Sequence, residues 1–233
     1  YATFLNRAWD QVVYDVAMHR LPVIFCLDRA GITGPDGASH HGVYDMALMS
    51  KVPGMRVLAP SSAQELQQML ADAAWLADDG PVVIRYPRGS ARQVLDTEVG
   101  TGLLARRARR GDGSMCLLAV GRMLEAALGA ADQLATDGID VTVWDARSCA
   151  PLDPAMIADA AGHAAVITIE DGIRDGGIGM AMFDQIGVIS PELPVEVLGV
   201  PIQFIPHGDP KRILAHFGLD AAGIVATARS MRS

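Results

Sequence analysis

Apolar residues fall into two alternating patterns along this chain. Between residues 4 and 17 they recur at helical spacing, as Leu5, Ala8, Trp9, Val12, Val13 and Val16, with Arg7, Asp10 and Asp15 among them. That spacing predicts an amphipathic helix with one buried face. Pro22 then leads into the nearly continuous apolar run 23–27, the pattern of a parallel strand covered on both sides. The alternation repeats: 56–59 reads as a strand, Pro60, Ser61 and Ser62 as a cap, 63–76 as a helix and 82–86 as a strand. Further on, strands are predicted at 115–120, 140–144, 165–169 and 195–200. Helices are predicted at 123–135, 154–161 and 179–186, with a last one from Ala221. Strands alternating with helices predict an α/β chain of doubly wound, mostly parallel sheets.

The pattern weakens between Ser90 and Gly113, where charge and glycine take over. The predicted organisation is therefore a first domain over 1–93, a linker over 94–112 and a second domain over 113–233. Arg106, Arg107, Arg109 and Arg110 fall in that linker and read as a solvated stretch. With the other basic residues scattered and a formal net charge of -8, the chain lacks the basic footprint of a nucleic-acid binder. No apolar run has the length of a membrane span, and no signal-peptide pattern is present. Cys26, Cys116 and Cys149 are odd in number and far apart, which favours free, buried thiols and a cytoplasmic setting. Tyr1 opens directly into the helical pattern, so the chain is expected to begin inside a longer protein.

Ligands of open α/β sheets bind beyond the carboxyl ends of the strands. Three places qualify. After the first strand come Asp28, Arg29, Asp36, His40 and His41, in a glycine-rich segment (29–42) long enough to be functional in a compact domain. After the third come Arg85, Tyr86, Pro87, Arg88 and Gly89. After the strand ending at Ile169 come Glu170, Asp171 and Asp175, with Gly176 and Gly177. Arginines at such mouths suit phosphate, because the guanidinium fork offers paired donors and keeps its charge. A plainer reading exists for each: Arg29 as a surface ion pair with Asp28, Arg85 to Gly89 as a strand end and turn, and the glycines after 175 as close loop-on-helix packing. His40 and His41 have no third histidine or cysteine at ligand spacing, so a metal site is not expected.

In order along the chain, these segments resemble one family. Tyr1-Ala2-Thr3-Phe4-Leu5-Asn6-Arg7-Ala8-Trp9-Asp10-Gln11, Asp28-Arg29-Ala30-Gly31 with Asp36-Gly37 and Ser39-His40, and Arg85-Tyr86-Pro87-Arg88-Gly89 are similar to 1-deoxy-D-xylulose-5-phosphate synthases, which are transketolase-like enzymes. The likeness continues through Pro151-Leu152-Asp153, Thr168-Ile169-Glu170-Asp171, Gly176-Gly177-Ile178-Gly179 and the segment from Gly218 to Ile224. It implies a truncated pyrimidine-binding domain followed by a transketolase C-terminal domain.

The implied reaction is the decarboxylating condensation of pyruvate with glyceraldehyde 3-phosphate, serving isoprenoid-precursor and thiamine biosynthesis, with thiamine diphosphate and magnesium as cofactors, in a cytoplasmic homodimer. By the same resemblance Phe4 packs on the cofactor's aminopyrimidine, with Tyr1 and Arg7 nearby, and Tyr1 also borders the substrate. Arg29 and Arg88 hold the acceptor's phosphate, His40 faces the reacting carbonyls, and Asp36 orders the His40 loop. The family's magnesium and diphosphate element and its activating glutamate are not found in the sequence, so the chain alone is expected to be inactive. Two positions depart from the family pattern: Ala150, where lysine is common, and Gly172, where asparagine is. Two other readings stand beside this one. One is another transketolase-like enzyme, such as a transketolase or the beta subunit of a 2-oxo acid dehydrogenase. The other is an assembly module without catalysis.

Overall fold

Each short apolar run forms a strand, and each amphipathic segment packs as a helix against the sheet so formed. The computed structural model describes residues 1–232. The chain opens with α1 (Ala2–Leu5), a 3-10 turn (Asn6–Ala8) and a π-helical stretch (Gln11–Ala17). The single helix expected here is therefore three pieces. The cause is visible in the bonding: Met18 N–H donates to the Val13 carbonyl and Leu21 N–H to that of Val16, five residues back in each case. This wider turn puts Val12 and Ala17, five apart, on the buried face.

β1 (Ile24–Leu27), α2 (Asp45–Met49), β2 (Arg56–Leu58), α3 (Ala63–Leu76) and β3 (Val82–Arg85) follow. The capping prediction for α3 is met by Ser62, whose Oγ accepts the Glu65 N–H at 3.1 Å. Next come β4 (Arg106–Arg109), β5 (Cys116–Ala119), α4 (Met123–Thr136), β6 (Thr142–Asp145), β7 (Ser148–Ala150) and α5 (Pro154–Ala161). The chain ends with β8 (Val166–Ile173), α6 (Ile178–Ile189), β9 (Val195–Val200), α7 (Pro210–His216) and α8 (Ala221–Ser230).

The strands make two sheets, ordered β1-β3-β2-β7 and β4-β6-β5-β8-β9. Both are parallel except for one antiparallel edge strand each, β7 on β2 and β4 on β6. Two expectations need correction. Most of the arginine run is no solvated linker: Arg106, Arg107 and Arg109 lie in strand β4, with Arg107 bonded to Asp159 at 2.6 Å and Arg109 to Asp132 at 2.9 Å, and only Arg110 falls past its end, exposed. Arg107 also lies over the Trp144 ring, 4.9 Å from its centroid. β1 is not covered on both sides, because it is the sheet's outer strand and leaves Ile24 and Cys26 exposed. Cys116 and Cys149 are buried, and all three thiols are free. β7, from the second half of the chain, completes the first sheet.

The two halves consequently share a core, with Val12, Met46, Val57 and Val83 packed together with Cys149, Met156 and Ile186. Arg147, wholly buried at the corner between β6 and β7, reinforces this join. Its Nε donates to Glu65 Oε2 at 2.7 Å and its Nη1 to the Leu104 carbonyl at 2.5 Å. Among the described residues no helix is long and apolar enough to cross a membrane.

Candidate active site

The glycine-rich segment after β1 is drawn into a closed loop by its own ends. Gly31 and Gly42 exchange backbone hydrogen bonds of 2.8 and 2.9 Å, and Ala30 N–H donates to the Tyr86 carbonyl at 3.0 Å, just past β3. A side chain at Gly42 would meet Ala2 Cβ at 2.7 Å, so glycine there lets α1 lie against the loop. Ala2 N–H donates to the Asp28 carbonyl and Thr3 Oγ1 to that of Ser39. Residues far apart in sequence thus meet at one sheet mouth.

What meets there is a small wall of rings and charges. Tyr1, Phe4 and His40 pack mutually, with centroids 4.6 Å (Tyr1 to Phe4), 5.3 Å (Phe4 to His40) and 5.7 Å (Tyr1 to His40) apart. The Arg29 guanidinium lies 4.6 Å above the Tyr1 ring and is ion-paired with Asp28, so it is both the surface pair and a wall residue. Arg29 also holds a φ of 56°, a conformation that costs a non-glycine residue on the order of 1 kcal/mol. Arg88 Nη1 donates to Asp36 Oδ2 at 2.9 Å, joining the turn after β3 to the loop. Arg7 is exposed and makes no hydrogen bond or ion pair with a described residue. The structure therefore brings Tyr1, Phe4, Arg29 and His40 together, links Asp36 to Arg88, and leaves Arg7 outside this set of contacts.

The two adjacent histidines differ in kind. His41 is buried: Thr33 N–H donates to its Nδ1 at 3.1 Å, which puts its proton on Nε2, 3.4 Å from the Pro206 carbonyl. Burial holds its pKa below the ordinary histidine value, against the pull of that carbonyl. His40 instead bonds Ser39 Oγ through Nδ1 at 2.8 Å, and its Nε2 has no partner among the described residues. A chemically available imidazole belongs to His40.

Behind the wall lies a buried ionic centre. Arg85 Nε donates to Asp45 Oδ2 at 3.0 Å and its Nη1 to Asp171 Oδ1 at 2.6 Å, with all three side chains almost fully buried. Burial opposes the Arg85 charge, but Asp171 and Asp45 outweigh it and raise its pKa. Next to them, Glu170 Oε1 accepts the Gly179 N–H at 2.8 Å at the start of α6. Burial pushes the Glu170 carboxyl up to about 8, against those backbone donors. Arg85, Glu170 and Asp171, candidates by their position after strands, thus face inward: Arg85 is the last residue of β3, and Glu170 and Asp171 lie within β8, which runs on past Ile169.

Packing also explains glycines here. A Cβ on Gly177 would meet the Ile173 carbonyl oxygen at 2.1 Å and one on Gly179 would meet Thr168 Oγ1 at 2.5 Å, so these glycines let the start of α6 lie close against β8, a helix-on-strand contact rather than the loop-on-helix packing expected. At Gly172 a side chain would meet Met46 Cε at 2.7 Å and Glu170 Oε2 at 3.0 Å, so an asparagine there needs a different neighbourhood. Among the described residues no three His, Cys, Asp or Glu side chains are grouped to hold a metal.

Residues 1–93 match the family described as Transketolase, pyrimidine binding domain, and residues 105–224 match Transketolase, C-terminal domain. The chain belongs to the transketolase family. Its similarity to proteins named 1-deoxy-D-xylulose-5-phosphate synthase is extensive: those of Anaeromyxobacter sp. (strain Fw109-5) and Thermobifida fusca (strain YX) are 45% and 44% identical over 99% and 96% of the chain. The chain spans only 37% and 36% of their respective lengths. Among solved structures, one described as a split gene transketolase, inactive beta4 tetramer, superposes with a TM-score of 0.89 at 28% identity, over 99% of this chain and 74% of that one. The wall, with the loop and turn that carry it, lies within the span matching the transketolase pyrimidine-binding domain.

Proposed function

We propose that this chain forms the substrate-side wall of a thiamine-diphosphate-dependent 1-deoxy-D-xylulose-5-phosphate synthase, which condenses pyruvate with glyceraldehyde 3-phosphate and releases carbon dioxide. The observation that carries this reading is the packed set of Tyr1, Phe4 and His40 beside Arg29, with Arg88 nearby in the chain's second mouth and tied to the same loop. An exposed aromatic face at Phe4 fits a flat pyrimidine, and thiamine diphosphate when bound supplies the electron sink. Arg29 and Arg88 clamp the acceptor's phosphate; each now holds one surface carboxylate that a dianion can displace. His40 presents Nε2 to the reacting carbonyl as donor or proton carrier, its ring oriented by Ser39. Asp36 sets the position of Arg88, and Arg7 contributes from the rim.

The remaining parts of the site, including magnesium and its ligands, are assigned to residues outside this chain, in keeping with its span of little more than a third of the relatives. The chain by itself is then inactive; the inactive state named for the split-gene transketolase tetramer supports this by analogy. Exposed Tyr14, Met18, Leu21 and Ile24, along the first helical stretch and the β1 edge, favour association, and we assign the protein to a cytoplasmic homodimer. A transketolase acting on ketose phosphates is the second reading, favoured by the 28% identical neighbour over the same two domains.

The test is product formation by the protein as its reading frame encodes it, given pyruvate, glyceraldehyde 3-phosphate, thiamine diphosphate and magnesium. His40→Ala is expected to lower kcat by about 100-fold or more, and Arg88→Ala to raise KM for the phosphorylated acceptor about tenfold or more. Turnover of a ketose phosphate without pyruvate use points to the transketolase reading; no turnover of either points to an assembly module.

A further inference from the structure

Between the two halves, beside the turn after β3, lies a cavity of about 190 Å3. Arg88, Arg92 and Arg122 line it together with Ser61, Ser62 and Glu125. None of Tyr1, Phe4, Arg29 or His40 takes part. Three guanidiniums against one carboxylate give the lining a net charge of +2, unusual in a chain of formal net charge -8.

Two of these arginines are poorly engaged by the protein. Arg122, at the start of α4, makes no hydrogen bond or ion pair with a described residue and does not cap its helix. Arg92 reaches Glu98 Oε1 only at 3.4 Å through Nη2, and its buried Nη1 has no protein partner. Arg122 therefore keeps all its donors for an acceptor, and Arg92 keeps those that its long bond to Glu98 leaves. Ser62 adds a donor: its Oγ accepts the Glu65 N–H, which leaves its own O–H free. Ser61 is already engaged, donating to Asp145 Oδ2 at 2.5 Å. The N-terminal ends of α3 and α4, both fourteen residues long, border the same space and favour negative charge there.

We propose that this cavity is a second anion site, which takes inorganic phosphate or a short phosphate monoester on Arg92, Arg122 and Ser62. The volume admits a phosphate with a few carbons. Fork-shaped donors on two sides match the tetrahedral oxygens of a phosphate better than a planar carboxylate. Arg88 lines this cavity and is also assigned to the acceptor's phosphate, and it is therefore left intact in the test. The site stands independently of the catalytic reading, since binding is measured without turnover.

The experiment is calorimetric titration of the chain, at low ionic strength, with inorganic phosphate and separately with glycerol phosphate. Arg122→Ala, Arg92→Ala and Arg29→Ala are compared, with circular dichroism confirming each fold and Arg122→Lys as a variant that keeps the charge but loses the fork. The proposal expects a phosphate site whose affinity falls about tenfold or more in Arg122→Ala and in Arg92→Ala, less in Arg122→Lys, and which remains in Arg29→Ala even where that variant removes separate binding at the wall. Binding lost in Arg29→Ala but unchanged in Arg122→Ala would place the anion on the aromatic wall and overturn the proposal. So would the absence of any phosphate binding by the unaltered chain at millimolar concentration.

Discussion

Arg85 and Arg88 are three residues apart on one strand and its turn, yet the molecule uses them in opposite ways. Arg85 is 1% exposed and held by two buried carboxylates from different halves of the chain. Arg88 is 50% exposed and held by one carboxylate, Asp36, itself open to water. A charge taken out of water must be fully paired, and it then welds together the elements that pair it. A charge left in water with one replaceable partner loses little by changing that partner for a ligand. The buried centre is thus scaffold, and the exposed wall keeps charges that can exchange their partners, although both sit at strand ends.

The comparison breaks most visibly by truncation. Arg85→Ala leaves Asp45 and Asp171 buried without a counter-charge and is expected to cost about 3–5 kcal/mol in urea unfolding. Arg88→Ala is expected to cost under about 1 kcal/mol in the same measurement. Equal losses would erase the distinction. Gly31→Ala comes next: its φ is 73°, and the added Cβ would meet Asp171 Oδ2 at 2.0 Å, pushing the loop off the ionic centre. A loss of about 1–3 kcal/mol is expected, with an altered His40 environment readable in its NMR titration.

The buried centre also carries a pH signature. Glu170 titrates near 8 in the folded protein against an ordinary value of 4.5, because burial disfavours its charge. Between those values the folded state keeps a proton that the unfolded state releases. Its contribution to stability is therefore complete below about 4.5 and is lost as the pH rises through about 8. Glu170→Gln is expected to remove up to about 1.4 kcal/mol per pH unit of that decline and to be more stable than the parent at pH 8. An unchanged pH–stability slope in the variant would count against a buried, protonated Glu170.

Much of the scaffold was legible where local pattern and final environment agree. Ala63–Leu76, Pro154–Ala161 and Val195–Val200 fall where periodicity and caps put them, since Ser62 and Asp153 supply side-chain caps and Pro154 the first turn. β7 was not legible: three residues carry no period, and its partner β2 lies some ninety residues earlier. The α2 and α7 helices are too short for a periodic signal to form. At the site, arginines after strands were visible from position alone, but the roles of Tyr1, Phe4 and His40 came only through resemblance, because ring packing between residues 36 and 39 apart leaves no local trace. Burial separates Arg85 from Arg88, and it is a tertiary property that the shared segment Arg85-Tyr86-Pro87-Arg88 does not encode by spacing.

The smallest expected effect concerns the arginine run that forms β4. Arg109 bonds Asp132 at 2.9 Å and Asp140 at 3.2 Å, but both carboxylates are more than half exposed. Water and salt compete for each partner, so the pair adds little to folding even though it is geometrically sound. What holds β4 is its backbone ladder to β6, which no side-chain truncation removes. Arg109→Ala should therefore cost less than about 1 kcal/mol, and that loss should shrink further in 0.5 M salt. A larger, salt-insensitive loss would mean that this edge strand depends on its ion pairs as the buried centre does, and exposure would no longer separate scaffold charges from available ones.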